Sequence, residues 1–292
     1  MSETIAAQGP GILELVNKTV KLPTIPNVLI KLNEVANDPE SSAEDVAKVI
    51  SVDPAITANI LRIVNSAYYG LQVRVSSINL AVSIMGFNMT KKVALKAAIF
   101  SVFGKKRDPI PEFDPEEFWK HSLYTAVATK TLAGESAHFS SFHPEDLYIC
   151  GLLHDIGKII LYESAPEIFQ KALQLSNKNE IPLFEAEEEV MGFKHSDVGS
   201  VLAIKWFLPE DLTIAIRYHH SPEKDPFHKS LSALIHLADW LTWKEGKSSA
   251  KGVPEPELDE TVYEKIGIEQ ERVEDLKETI RQEYTKVEFP FH

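Results

Sequence analysis

The chain of 292 residues is poor in cysteine and in long apolar runs. Its single cysteine, Cys150, excludes an intramolecular disulfide and suits a reducing cytoplasm, where we expect the protein to be located. No uninterrupted apolar stretch reaches the roughly 18 residues that a membrane-spanning helix needs, so we expect no membrane partner. The opening residues, Met1-Ser2-Glu3-Thr4-Ile5, lack the basic and apolar regions of a secretory signal.

Positive charge is scarce in most of the chain, which carries a net charge of −13. Residues 1–110 carry 12 Lys and Arg against 9 Asp and Glu, a net of +3, whereas residues 111–292 carry 18 against 34, a net of −16. Because an acidic body repels phosphate backbones, the composition disfavours nucleic acid as a partner. The lysines of the first part are interpreted as solvated helix faces.

Alternating strand patterns of useful length are also missing, and the residues that mark the ends of segments are those typical of helix starts. Asp53-Pro54 and Asp114-Pro115 each place an aspartate N-cap before a proline at the first helical position. Ser41 and Glu44 fit a capping box, and Pro209 precedes another apolar segment. With 44% hydrophobic and 25% charged residues, the composition is that of an ordinary globular protein. We therefore predict an all-α fold.

Two hydrophilic breaks divide this helical pattern, at residues 104–111 and 246–256. We predict one domain over residues 12–245. It consists of a first helical half over residues 12–103, packed on a second half over residues 114–245.

A C-terminal tail is predicted over residues 253–292. Within it, an amphipathic helix is indicated by the apolar residues Ile268, Val273, Leu276 and Ile280. We expect this helix to dock on the body of the same chain rather than on a partner.

The second half concentrates histidines and aspartates that are typical metal ligands. The adjacent pair His154-Asp155 lies near the end of an apolar segment, where burying a carboxylate costs several kcal/mol unless it is paired or binds a metal. Five separate helices or helix ends offer one or two such donors each, as helical bundles do at metal sites. The predicted ligands are His121, His154, Asp155, His195, His219, His220 and Asp239.

The number of ligands allows one ion or two. Three imidazoles and two carboxylates would satisfy one ion; two more imidazoles leave room for a second about 3.5–4 Å away, with Asp155 as the bridge. Imidazole-rich sites suit Fe, Mn, Zn, Ni or Co and argue against calcium. The remaining histidines are interpreted as structural residues: His138, His143, His228, His236 and His292.

Several stretches resemble the HDOD family. In the first half they are Leu22-Pro23-Thr24-Ile25-Pro26, residues 53–67 with the run Asp53-Pro54-Ala55-Ile56, Tyr68-Tyr69-Gly70 and residues 77–86. Residues 114–243 resemble the second part of that family, which is related to HD-type metal-dependent phosphohydrolases. The resemblance implies an all-α fold and a bacterial signalling role, in many members without catalysis.

The ligand set is fuller than in many HDOD members. His121, the His154-Asp155 pair and Asp239 match the four core ligands of the HD superfamily. The additional ligands of the binuclear HD-GYP phosphodiesterases are matched by His195, His219 and His220. After His220, however, the chain continues Ser221-Pro222-Glu223-Lys224-Asp225-Pro226-Phe227 without a Gly-Tyr-Pro element, which argues against cyclic di-GMP hydrolysis.

Two functions remain open. The favoured one is a stand-alone signalling module with a structural or sensory metal site, which acts through protein partners or a bound ligand. Because only about eleven residues precede the first helix, we expect its signal to arrive through a separate molecule.

The alternative is a metal-dependent phosphohydrolase that acts on a nucleotide or another phosphate ester. Asp155 would hold the metal, and Lys158 would contact a substrate phosphate. Arg217 is a weaker second candidate for that contact. Whether the chain is an enzyme is left undecided.

Overall fold

The computed structural model describes residues 10–22, 27–38, 40–52, 54–65, 71, 74–103, 110–227 and 229–287. Helices dominate these residues and no strand forms among them, although an isolated bridge pairs Ile110 with Phe113. The predicted all-α fold is confirmed. In this part of the chain, no helix combines the length and the apolar character that crossing a bilayer requires.

The α-helices are numbered in chain order. They are α1 (Pro10–Thr19), α2 (Asn27–Asn37), α3 (Ala43–Ile50), α4 (Pro54–Val64), α5 (Ile78–Phe103), α6 (Pro115–Ala133), α7 (Pro144–Leu153), α8 (Ile156–Ser164), α9 (Pro166–Asn179), α10 (Leu183–Met191), α11 (His195–Lys205), α12 (Glu210–Tyr218), α13 (Lys229–Lys244), α14 (Val262–Ile266) and α15 (Gln270–Thr285).

The chain forms two compact units. Residues 23–106 form one, and residues 1–22 with 107–292 form the other. This division differs from the expected halves, because α1 belongs to the larger unit and not to the unit of residues 23–106. The physical reason is that α1 packs on α11 and buries Val16 and Val20.

The unit of residues 23–106 has its own apolar core, in which Leu32, Ile50 and Ile60 are completely buried. The Asn65 side chain hydrogen-bonds both the N–H and the carbonyl of Val75, each at 2.7 Å, and so fixes the connection between α4 and α5. In α5, Gly86 has a φ of +75° and interrupts the regular helix.

Two of the predicted caps are resolved. The capping box lies one residue beyond Ser41 and Glu44, because α3 begins at Ala43 and uses Ser42 with Asp45. Asp114 caps α6 as predicted, and its carboxylate accepts from Glu116 N–H at 2.9 Å. Asp53 lies outside the described residues.

The larger unit is built around α6, which packs against α7, α13 and α15. The contact with α15 buries Val273, Leu276 and Ile280 of the amphipathic helix. Tyr124 of α6 and Tyr284 of α15 also meet there, with ring centroids 5.0 Å apart.

Two glycines permit the tightest helix crossings in the larger unit. A Cβ on Gly151 would lie 2.7 Å from Ala126 Cα, so α7 can approach α6 only without a side chain there. A Cβ on Gly157 would lie 1.8 Å from the carbonyl oxygen of His195. Gly157 lies in the first turn of α8, and its lack of a side chain lets α11 pack directly on α8.

We expect Gly157→Ala to lower the free energy of unfolding by about 3 kcal/mol, because the backbone of α11 must move away from α8. Chemical denaturation of the purified variant measures this loss. The matched control is Gly134→Ala at the end of α6, where φ is −63° and a Cβ meets its first neighbour at an ordinary 3.4 Å. Equal stabilities for the two variants would contradict the close approach.

Candidate metal centre

The seven predicted ligands come from five places in the larger unit. His121 lies within α6, and Asp239 lies within α13. His195 is the first residue of α11. At the junction of α7 and α8 the chain presents His154 and Asp155, and at the end of α12 it presents His219 and His220. The structure brings all seven together in two groups.

The first group consists of His121, His154 and Asp239, all of which are buried. His121 Nε2 lies 3.1 Å from Asp239 Oδ1 and 3.3 Å from His154 Nε2. His154 Nε2 lies 3.6 Å from the same Asp239 oxygen. Two imidazole nitrogens and one carboxylate oxygen therefore converge on one small volume.

The second group consists of Asp155, His195, His219 and His220. Asp155 Oδ1 lies 3.1 Å from His195 Nε2 and 3.5 Å from His219 Nε2. His220 is half-buried, and its Nε2 lies 3.0 Å from His195 Nε2. Its ring stacks on Phe184 with the centroids 4.5 Å apart.

Asp155 lies between the two groups. While its Oδ1 faces His195 and His219, its Oδ2 lies 3.4 Å from both His121 Nε2 and His154 Nε2. One carboxylate thus presents a separate oxygen to each cluster of imidazoles. This is the arrangement that a bridging ligand between two ions requires.

Four of the histidines are held so that Nε2 faces inward. In each, Nδ1 lies within hydrogen-bond distance of an acceptor outside the group, which places a proton on Nδ1 and leaves Nε2 as the nitrogen that a metal would take. His154 and His219 donate to carbonyls three residues earlier, Gly151 and Ile216, both at 2.7 Å. His121 donates to the Lys247 carbonyl at 2.7 Å, and His195 donates to a carboxylate at 2.6 Å.

Several buried atoms in the two groups lack a hydrogen bond. Asp155 Oδ1, Asp239 Oδ1 and His219 Nε2 have no hydrogen-bond partner. Leaving such atoms unsatisfied is costly, and a bound cation offers each of them a partner. The donor set therefore fits a divalent transition metal.

The carboxylates remain charged despite burial. Burial opposes ionisation of Asp155, but the Lys158 ammonium and the neighbouring imidazoles hold its pKa well below the ordinary value. Burial likewise opposes ionisation of Asp239, but the neighbouring imidazoles of His121 and His154 hold its pKa well below the ordinary value. Two buried negative charges therefore have to be met by positive charge inside the site.

The pKa values of the imidazoles are shifted in opposite directions. Burial alone would lower the pKa of His154, yet the Asp155 carboxylate raises it to about 10. His121 and His195 also have a raised pKa, because nearby carboxylates outweigh burial. By contrast, burial lowers the pKa of His219 to about 4 and holds that of His220 well below the ordinary value. Protons and a divalent cation therefore compete to neutralise the same carboxylates.

Lys158 lies beside the bridging carboxylate. Its Nζ is 2.5 Å from Asp155 Oδ2 and 3.1 Å from Ser249 Oγ, and the residue is only 3% exposed. Arg217 is held elsewhere, since its guanidinium contacts Asp197 Oδ1 at 3.2 Å and Ser200 Oγ at 3.3 Å. Of the two proposed phosphate contacts, Lys158 is therefore the one that reaches the metal ligands.

A pocket leads to this centre from the surface of the unit. It has a volume of about 310 Å³, its open mouth included. Lys158, His195 and His220 form its inner wall, and Phe184 and Trp243 are among its aromatic neighbours.

Residues 247–256 form the outer wall of the pocket, although the sequence indicated only a hydrophilic break there. Ser249, Ala250 and Val253 are buried, and the Lys247 carbonyl accepts from His121. Lys251 N–H donates to the Glu112 carbonyl at 2.8 Å, which fastens this segment to the chain before α6. Composition did not reveal this role, because it depends on contacts with distant residues.

Glu187 is the main residue of the site that sequence reasoning missed. It is completely buried on α10, and its Oε2 accepts from His195 Nδ1 at 2.6 Å. The only signal in the sequence was a glutamate eight residues before a predicted ligand, inside a run of acidic residues that is typical of a solvated face.

The histidines interpreted as structural lie outside both groups where they are described. His236 is buried, with Nδ1 2.7 Å from the His219 carbonyl, and its Nε2 accepts from Asp259 N–H. His143 caps α7, and His138 is exposed beside the Lys265 carbonyl. His228 and His292 lie outside the described residues.

Comparison with known proteins gives a family and a fold. The model of the HDOD domain family matches residues 22–222. An uncharacterised protein of Treponema pallidum (strain Nichols) is 25% identical over 261 residues, which is 84% of this chain and 49% of the relative. The chain therefore spans about half the length of the curated relative that it matches.

Solved structures share the fold over nearly the whole chain. An HDOD domain protein of unknown function from Geobacter sulfurreducens has a TM-score of 0.72 and 25% identity, covering 94% of this chain and 96% of that one. A Shewanella amazonensis SB2B protein, provisionally named a phosphohydrolase, has a TM-score of 0.68 and 23% identity over 93% of both chains. A Marinobacter aquaeolei VT8 protein, provisionally named a signal transduction protein, has a TM-score of 0.74 and 20% identity, covering 96% of this chain and 64% of that one.

The resemblance to the HDOD family, first indicated by short motifs, is confirmed by a family match that extends from before α2 to beyond the paired histidines. This chain belongs to the HDOD domain family.

Proposed function

We propose that this protein is an HDOD signalling module whose conformation or contacts depend on a two-ion metal centre. The ions would be held by His121, His154 and Asp239 on one side and by His195, His219 and His220 on the other, with Asp155 between them. The observation that carries the proposal is the placement of the two Asp155 oxygens, one toward each cluster of imidazoles. The ions would be Fe, Mn, Zn, Ni or Co, since imidazole nitrogen suits these metals.

A regulatory role is supported by the closure of the site. Residues 247–256 cover one side of the centre, and the Lys247 carbonyl is the acceptor for a predicted metal ligand. Occupancy of the centre therefore bears directly on the position of a surface segment, which is how a metal can control a contact with another molecule. We propose a cytoplasmic protein partner or a phosphate-bearing ligand as that molecule; the signal transduction name of one structural neighbour agrees with this role.

Elemental analysis of protein purified without chelators should find about two equivalents of metal per chain. His154→Ala and His219→Ala should each lose about one equivalent, because each side chain belongs to a different group. Asp155→Asn should lose most of both equivalents of metal, since the carboxylate charge between the two groups is removed. The control is His138→Ala, whose exposed imidazole lies outside the groups and which should keep both equivalents. A metal-free wild-type protein that takes up no added ion would contradict the proposal.

Removing the metal should destabilise the protein. At a free metal concentration of about 100 times Kd, each bound ion contributes about 2.7 kcal/mol. For a chain of this size, loss of one ion should therefore lower Tm by about 5–10 °C, and chelation of both by about twice as much. Differential scanning calorimetry with and without chelator measures the change, and Asp155→Asn should give the same Tm in both conditions. A wild-type Tm that responds neither to chelator nor to added metal would refute a structural or sensory role for the ion.

A second function, metal-dependent hydrolysis of a phosphate ester, is favoured by one specific observation. Lys158 lies against Asp155 and also lines the pocket that reaches the centre. A divalent ion held there would supply Lewis-acid polarisation of a phosphoryl oxygen. The Lys158 ammonium would stabilise negative charge on the same phosphate, and the enclosing residues would exclude bulk water. The phosphohydrolase name of a structural neighbour agrees with this alternative.

If the protein is a hydrolase, the metal-replete form should turn over nucleotides or bis(p-nitrophenyl) phosphate. Lys158→Met should lower kcat about 100-fold, by the loss of one charge-stabilising donor, while metal content stays unchanged. Release of p-nitrophenol and elemental analysis of the same sample measure both quantities. The enzymatic alternative falls if the metal-replete protein hydrolyses none of these esters while an unrelated HD hydrolase does so in parallel.

A further inference from the structure

Glu187 makes an unusual set of contacts for a buried glutamate. Its side chain is completely buried, and Oε2 accepts two hydrogen bonds, from His195 Nδ1 at 2.6 Å and from His195 N–H at 2.7 Å. The other oxygen, Oε1, has no hydrogen-bond partner. Both hydrogen bonds of this carboxylate are therefore with a single residue, a candidate metal ligand.

Local structure explains how the two residues meet. Gly192 ends α10 with a φ of +77°, and the chain turns back so that α11 begins at His195. Glu187 on α10 then faces the first turn of α11. Because α8 packs on the same end of α11 through Gly157, the His195 ring is enclosed between Glu187 and Asp155.

The hydrogen bond fixes the ring of His195. With Nδ1–H donated to Glu187, the lone pair of Nε2 is directed to the centre, where it lies 3.1 Å from Asp155 Oδ1. The corresponding acceptors for His121, His154 and His219 are neutral backbone carbonyls. A carboxylate acceptor also makes the imidazole more basic and therefore a stronger metal ligand.

We propose that Glu187 is a positioning residue, which orients and strengthens His195 as a ligand and thereby controls the affinity of one of the two ions. The inference rests on the proposed two-ion centre. It concerns the ion between Asp155, His195, His219 and His220 and leaves the other group untouched, because Glu187 contacts none of its members in the described structure.

The test is competition of wild type and variants against a graded chelator, with Zn²⁺ as the probe and bound metal measured at each step. Glu187→Gln keeps an acceptor oxygen but loses the charge, and should lower the affinity for one ion by about 10-fold. Glu187→Ala loses both the oxygen and the charge and should lower the affinity for the same ion by about 100-fold, while the affinity for the second ion stays as in wild type. Glu189→Gln, an exposed change on the same helix, is the matched control and should bind both ions as wild type does.

Two further readouts separate the possible failures. In the chelated protein, ¹⁵N NMR should show His195 protonated at Nδ1 in wild type and altered in Glu187→Ala. If Glu187 only fastens α10 to α11, the variants will lower the Tm of the metal-free protein and leave both affinities unchanged, which overturns the inference alone. An equal loss of affinity for both ions would also overturn the proposed role of Glu187. A wild type that binds no Zn²⁺ overturns the proposed function itself and, with it, this role for Glu187.

Discussion

Asp155 and Asp239 are ionised carboxylates in a part of the molecule that solvent hardly reaches, and their charge has to be neutralised from within. Isolated burial of such groups is expensive, so the surrounding structure is arranged to supply partners. Imidazoles from α6, α11 and the ends of α7 and α12 surround the two carboxylates, and the Lys158 ammonium lies against one of them. The helical packing of the larger unit is best understood as the scaffold that holds these charges together.

Two local features fix the positions of the ligands in this scaffold: histidine caps at helix ends and glycines at helix crossings. Helices α7 and α12 are each followed by a capping histidine whose Nδ1 donates to a carbonyl of the last turn. This hydrogen bond satisfies a carbonyl at the helix end and directs Nε2 toward the centre. Gly151 and Gly157 remove side chains where α7 meets α6 and α8 meets α11. Without these close approaches the ligands would lie on helices too far apart to share one carboxylate.

The segment that covers the centre is also relevant to function. Residues 247–256 form a wall of the candidate centre, and the Lys247 carbonyl accepts from the candidate ligand His121. In the proposed function, metal occupancy would therefore be coupled to the position of this segment. This favours a metal that controls a contact, in keeping with membership of the HDOD family. The pocket beside Lys158 keeps hydrolysis as the alternative, and the missing Gly-Tyr-Pro element separates the chain from the HD-GYP pattern.

The sequence by itself determined the helical class, the Asp114 cap and the identity of the seven ligand candidates, because capping residues, apolar periodicity and the His-Asp pair are local signals. Only the tertiary structure decided that α1 joins the larger unit, that Gly157 serves a helix crossing, and that a hydrophilic break covers the centre. Glu187 belongs to the same class: on a helix rich in exposed acids, nothing local distinguishes the one carboxylate that faces inward. Its role depends on a turn at Gly192 and on the packing of α11 against α8, and such long-range contacts leave no periodic signature in the sequence.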